Sequence, residues 1–231
     1  MTTFRWKMAV MALALGGMAE PAFSAFIVNA ANTGTQFTVD YVGQVGGQTT
    51  PSVSALGNFT FNGVSNNGFT YNFNYSLTND STTSARLSGF AFNTNPNASS
   101  AAVTGAFNNS YISGNYPEGY GSVDICFTDG GGSCAGGGSG GFYNPNTGTG
   151  SFALTFAQQM ASVSFDSFVT RFQSISGVQA GTSGIGIGTL VDGGGPVSAA
   201  PEPGTWLMLM GGFGLMGWVM RRKANLQMAW Q

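Results

Sequence analysis

Two cysteines, Cys126 and Cys134, and three carboxylates close to them in the chain, Glu118, Asp124 and Asp129, are the residues best placed to do chemistry. In an oxidising compartment two such thiols pair, and Gly130-Gly131-Gly132 between them lets the backbone turn back far enough to bring the sulfurs together. Closing so short a loop stabilises a fold by roughly 2–3 kcal/mol on the chain-entropy argument. A structural zinc site takes four Cys or His ligands, and the chain has no histidine, so neither a metal nor another cofactor is expected. The same absence removes Ser-His-Asp and Cys-His catalysis. Carboxylate pairs are left, of the kind glycosidases use, beside the plainer reading of Glu118, Asp124 and Asp129 as solvated turn residues. Tyr111, Tyr116, Tyr120 and Tyr143 fall in stretches read as loops, and Tyr116 and Tyr143 are the candidates for stacking on a sugar ring.

Strands must carry these residues. Phe69, Tyr71, Phe73, Tyr75 and Leu77 alternate with Thr70, Asn72, Asn74 and Ser76, which makes one aromatic face and one amide and hydroxyl face. Phe37/Val39/Tyr41, Phe59/Phe61, Val123/Ile125/Phe127 and Phe152/Leu154/Phe156 repeat the pattern. The apolar parity changes between Phe165 and Phe168, which predicts a bulge at Asp166-Ser167. Turn signals such as Asn66-Asn67-Gly68, Asn95-Pro96-Asn97 and Asn144-Pro145-Asn146 separate the runs. No window between residues 26 and 200 reads as helix. The expectation is all-β: an antiparallel β-sandwich or jelly-roll-like domain over residues 26–180, with two sheets packed face to face. From residue 181 the pattern fades into a last weak strand running into a Gly-rich linker, residues 181–200.

Charged residues make up only 7% of the chain. Between residues 25 and 203, two basic residues, Arg86 and Arg171, stand against eight acidic ones, a net charge of −6. Nucleic-acid binding rests on Lys and Arg neutralising phosphates, so no nucleic-acid partner is expected. Asn-x-Ser/Thr sequons at Asn58, Asn79, Asn97 and Asn108 are expected to mark surface loops.

The two ends read as targeting segments. Arg5 and Lys7 followed by an apolar run and Ala22-Phe23-Ser24 make residues 1–25 a signal peptide, cleaved by signal peptidase after Ser24 or Ala25. Pro201-Glu202-Pro203, the apolar residues 204–220 and the basic cluster Arg221-Arg222-Lys223 follow the linker, with a short tail over residues 224–231. As a transmembrane helix the 17 apolar residues of 204–220 span about 25 Å, against a hydrocarbon core of about 30 Å. Both basic flanks lie on the side away from the β-domain, so the positive-inside rule turns the domain outward across the inner membrane.

Tripeptide, apolar segment and basic stop together resemble the PEP-CTERM sorting signal of exported Gram-negative bacterial proteins. That resemblance implies processing by exosortase, only a transient stay in the inner membrane, and release to the cell surface or extracellular matrix. It also implies a setting of exopolysaccharide and biofilm production. The body is similar to the cistern family of such proteins through Phe37-Thr38-Val39-Asp40-Tyr41-Val42-Gly43, Val123-Asp124-Ile125-Cys126-Phe127 and Cys134-Ala135-Gly136-Gly137-Gly138. The expected function is a non-enzymatic surface or matrix protein. A carbohydrate-binding module for extracellular polysaccharide is the alternative, and a carboxylate-based glycoside hydrolase the remote one.

Overall fold

Alternating aromatic and polar residues become strand along most of the chain. The computed structural model describes residues 25–136 and 139–193. Its strands are β1 (Phe26–Val28), β2 (Gln36–Val45), β3 (Gln48–Ser65), β4 (Thr70–Thr78), β5 (Arg86–Asn95) and β6 (Ser100–Gly105). They continue with β7 (Asn109–Tyr116), β8 (Gly121–Thr128), β9 (Phe142–Tyr143), β10 (Thr147–Thr155), β11 (Val163–Gln173) and β12 (Gly184–Gly193). The described helical residues form two short 3-10 turns, Ala30–Asn32 and Asn66–Gly68.

Every strand pairing is antiparallel, and the order is β6-β10-β4-β3-β2-β12-β11-β5-β8-β7, with β1 on β11 and β9 on β5. The all-β antiparallel expectation holds, with one refinement. Instead of two separate sheets there is one continuous sheet, because β12 is laddered to β2 on one side and β11 on the other. That sheet curls until its two end strands approach each other, where the Ser110 hydroxyl of β7 donates to the Ala101 carbonyl of β6 at 2.7 Å. The result is a nearly closed barrel or sandwich, and closing a sheet protects strand edges that would otherwise invite pairing.

Inside lies the aromatic face. Tyr71, Phe73, Tyr75 and Leu77 are all buried, as the period of two predicts. Phe152 on β10 is central: its ring meets those of Phe59, Phe73, Tyr75, Phe90, Phe92 and Phe127. The Phe73–Phe152 pair is stacked at 4.8 Å between centroids. Two of the buried phenols find backbone partners, with Tyr71 donating to Met160 O at 2.9 Å and Tyr75 to Thr104 O at 3.0 Å. Outside, cross-strand hydroxyls satisfy one another, as in Thr70–Thr155 at 3.1 Å and Thr78–Thr147 at 2.9 Å.

The bulge falls where the parity change puts it. The β11–β5 register shifts between Asp166 and Val169, with Ser167 at φ 54°. Phe165 and Phe168 therefore both reach the core. The sheet extends beyond residue 180, because Gly184–Gly193 is a full strand inside it. Its inward positions are glycine for a steric reason: a Cβ on Gly188 would lie 2.7 Å from Phe168 Cβ and Val39 Cγ1, and one on Gly186 would strike Thr170. Side chains of the flanking strands fill the space over β12.

Truncating Phe152 to Ala removes contacts to six rings and should cost about 3–5 kcal/mol. Urea denaturation measures it; a loss below about 1 kcal/mol would mean that the rings around it do not form one packed unit.

Candidate functional site

The face of β5, β8, β11 and β12 opposite the aromatic core is also apolar. Ala91, Cys126, Val169 and Ile185 are buried there with Tyr116, Val123 and Cys134. Two connections help cover them: the β7–β8 turn, residues 117–120, which brings Tyr120, and the loop of residues 129–141, which brings Cys134. The loop is tied to β8 by the Cys126–Cys134 disulfide, whose Cα atoms are 5.6 Å apart. Gly114 on β7 leaves room for it, since a Cβ there would collide with Cys134 Sγ.

The two arginines of the β-domain, 6% and 7% exposed, both fasten this cover. Arg171 on β11 donates from Nε to Ala135 O at 3.2 Å and from Nη1 to Gly184 O at 2.9 Å. Its Nη1 also lies 3.5 Å from Glu118 Oε1, which accepts from the Ser183 hydroxyl at 3.1 Å. Arg86 on β5 bonds Gly140 O and, at 3.1 Å, Gln173 Oε1. A guanidinium can be sheathed this way because its donors reach several carbonyls at once.

The three carboxylates singled out in the sequence face different partners. Glu118 meets Arg171 and Ser183. Asp124 accepts from Thr94 N at 3.0 Å and Asn97 Nδ2 at 3.3 Å. Asp129 closes the base of the loop by accepting from Gly141 N at 2.8 Å, with Asn108 Nδ2 at 3.0 Å on its other oxygen. Among the described residues no group of three or more His, Cys, Asp or Glu side chains is placed to hold a metal.

Tyr116 is not a surface residue. It ends β7 at 3% exposure, because the turn after it folds back over the sheet. Its ring meets Tyr120 edge-on at 6.0 Å, and an enclosed ring offers no face to a sugar. Burial drives its phenol well above the ordinary tyrosine range, as it does for Tyr41. Tyr120 is pushed up to about 12, by burial first and the Asp166 charge after it, against the lowering effect of its 2.8 Å bond to Ser167 O. Tyr111 donates to Gly131 O at 2.7 Å. Tyr143, on β9, is 45% exposed and accessible. The sequons divide as well: Asn97 and Asn108 are exposed, Asn58 is exposed in the middle of β3, and Asn79 is fully buried, donating to Ala85 O at 2.9 Å.

One feature had no signal in the sequence. On the solvent face of β3, β4, β10 and β6 lies a groove of about 310 Å³, lined by residues from four strands far apart in the chain. The expected signal peptide and transmembrane helix, and the tripeptide Pro201-Glu202-Pro203, lie outside the described residues.

Two measurements follow from this geometry. Cys126→Ser with Cys134→Ser should lower the unfolding free energy by about 2–3 kcal/mol without changing the strand content by circular dichroism; an unchanged stability would deny the loop its fastening role. A phenol held at a raised pKa keeps its proton longer in the folded state than in the unfolded one. Stability should therefore be level below pH about 10 and fall as the pH rises from about 10 towards 12, less steeply in Tyr120→Phe. Urea titrations across that range give the slope; identical slopes for both proteins would contradict the burial of Tyr120.

Residues 199–223 match the PEP-CTERM protein-sorting motif. The match takes in Pro201-Glu202-Pro203, the apolar run and Arg221-Arg222-Lys223. No curated protein and no solved structure matches the chain, so the likeness to the cistern family gains no support from them. The chain carries a PEP-CTERM sorting motif, and with it the mark of an exosortase-processed protein destined for the cell surface or the extracellular space.

Proposed function

We propose that the chain is an exported, non-enzymatic β-domain protein, which exosortase frees from a transient membrane handle to serve in an extracellular matrix of exopolysaccharide or biofilm. The observation that carries this reading is the sorting motif at residues 199–223 beside a low-charge, nearly closed sheet. Signal peptidase removes residues 1–25, and the apolar residues 204–220 hold the chain in the inner membrane with its basic cluster in the cytoplasm. Phe26 already pairs with Phe165 in the first strand, so the fold starts directly after the proposed cleavage point. At the other end the sheet finishes at Gly193, and residues 194–200 separate it from Pro201-Glu202-Pro203.

A non-enzymatic role is supported by what holds the carboxylates: Glu118 is engaged by Arg171, and Asp124 and Asp129 act as acceptors for backbone and amide donors. The disulfide suits an oxidising destination. Carbohydrate binding is the second reading, favoured by the exposed Tyr143 and by the polar groove.

Replacing Pro201, Glu202 and Pro203 together by Ala tests the sorting. In a host with exosortase, the native chain should leave the inner-membrane fraction, whereas the variant should stay there with residues 224–231 still attached. Equal distribution of the two between membrane and medium would remove the tripeptide from the account.

A further inference from the structure

We infer that the groove across β3, β4, β10 and β6 is a binding site for a neutral polysaccharide chain. The proposal deepens the matrix reading above and rests on it only for where such a chain is met.

Two rows of outward residues cross the strands. In the first, Gly63, Asn72, Ala153 and Ala102 lie side by side; in the second come Thr60, Asn74, Ser151 and Thr104. Ala153 and Ala102 are direct neighbours, so two methyl groups form a low floor between taller side chains. A register shift between Phe61 and Gly63 sets Asn62 out of the ladder at one end of the groove. The floor is apolar, and the rim carries amides and hydroxyls.

The rim offers unpaired amide groups to a ligand. Some outward polar side chains on this face are matched in pairs, Thr70 with Thr155, Thr78 with Thr147 and Thr38 with Asn58. At the groove, Asn62 and Asn74 are exposed and take no side-chain hydrogen bond among the described residues. Asn72 donates to Ser65 Oγ at 3.0 Å and Gly63 O at 3.3 Å, and its side-chain oxygen accepts no hydrogen bond among the described residues. Thr104 and Ser151 share one bond of 3.0 Å and keep lone pairs spare.

This chemistry selects the ligand class. A sugar ring presents hydroxyls that both donate and accept around its edge, and C–H groups on its face. Amides supply donors and acceptors together, and alanine methyls supply the apolar contact. No Asp, Glu, Lys or Arg lines the groove, so nothing there would neutralise a phosphate, a sulfate or a uronate. The ligand is an uncharged glycan.

Native affinity gels test it, with the full-length chain in a non-glycosidic detergent. Dextran, glucomannan, galactomannan or mixed-linkage β-glucan is cast into the gel, with alginate as the anionic comparison. At least one neutral polymer should retard the native protein and alginate should not. Asn74→Ala should weaken the retardation about fivefold, and Ala153→Trp, which fills the floor, should abolish it, with circular dichroism unchanged in both. No retardation by any neutral polymer, retardation by alginate alone, or retardation that survives Ala153→Trp would each overturn the proposal. Sorting is read separately by fractionation, so a chain that stays in the inner membrane but binds in the gel would sink the sorting account and leave this one standing.

Discussion

The packing of phenylalanine rings across the nearly closed sheet is the interaction on which the rest depends. Phe59, Phe73, Phe90, Phe92 and Phe127 converge on Phe152 from both sides of the barrel. Each ring brings a large buried area and prefers offset or edge-on neighbours, so a set of them fixes both the spacing and the twist of the strands that carry them. With the interior filled by aromatics, the outer face of β3, β4 and β10 is free to be hydroxyl and amide. A chain with 7% charged residues can thereby be soluble without being highly charged.

A second layer of apolar contact lies outside the barrel, and its cover is held by few groups. Arg86 and Arg171 bond backbone carbonyls in the loop of residues 129–141, and the disulfide crosses from that loop to β8. Neither arginine is presented to solvent as a binding charge. What charge the outer surface does present is acidic, from residues such as Asp40 and Asp80. That balance disfavours an anionic partner.

Much of this fold was legible because a period of two leaves a strong trace when one face is aromatic, as in β4. The bulge at Asp166-Ser167 was legible for the same reason, since a slipped strand changes the parity of its apolar residues. Strand β12 left only the weak trace of a last strand before a Gly-rich linker, because Gly184, Gly186 and Gly188 occupy its inward positions and the side chains that cover it belong to β2 and β11. Tyr116 was misplaced because a Tyr beside Pro117 and Gly119 looks like a loop, and only the tertiary fold shows the turn closing over Ile185 and Val169. Sorting could be read because tripeptide, apolar run and basic cluster are contiguous. The groove could not: Asn62, Asn74, Thr104 and Ser151 come together only when four strands align.

Fold and motif divide the labour. The motif at residues 199–223 marks the chain for sorting, and on the proposed reading the barrel between Phe26 and Gly193 is what is delivered. Intact mass analysis of the protein recovered from its host addresses that division most directly, since one spectrum reads both termini. The account predicts a chain beginning at or next to Ala25, ending near Pro201-Glu202-Pro203 and retaining the Cys126–Cys134 crosslink. A dominant mass corresponding to all 231 residues would contradict it.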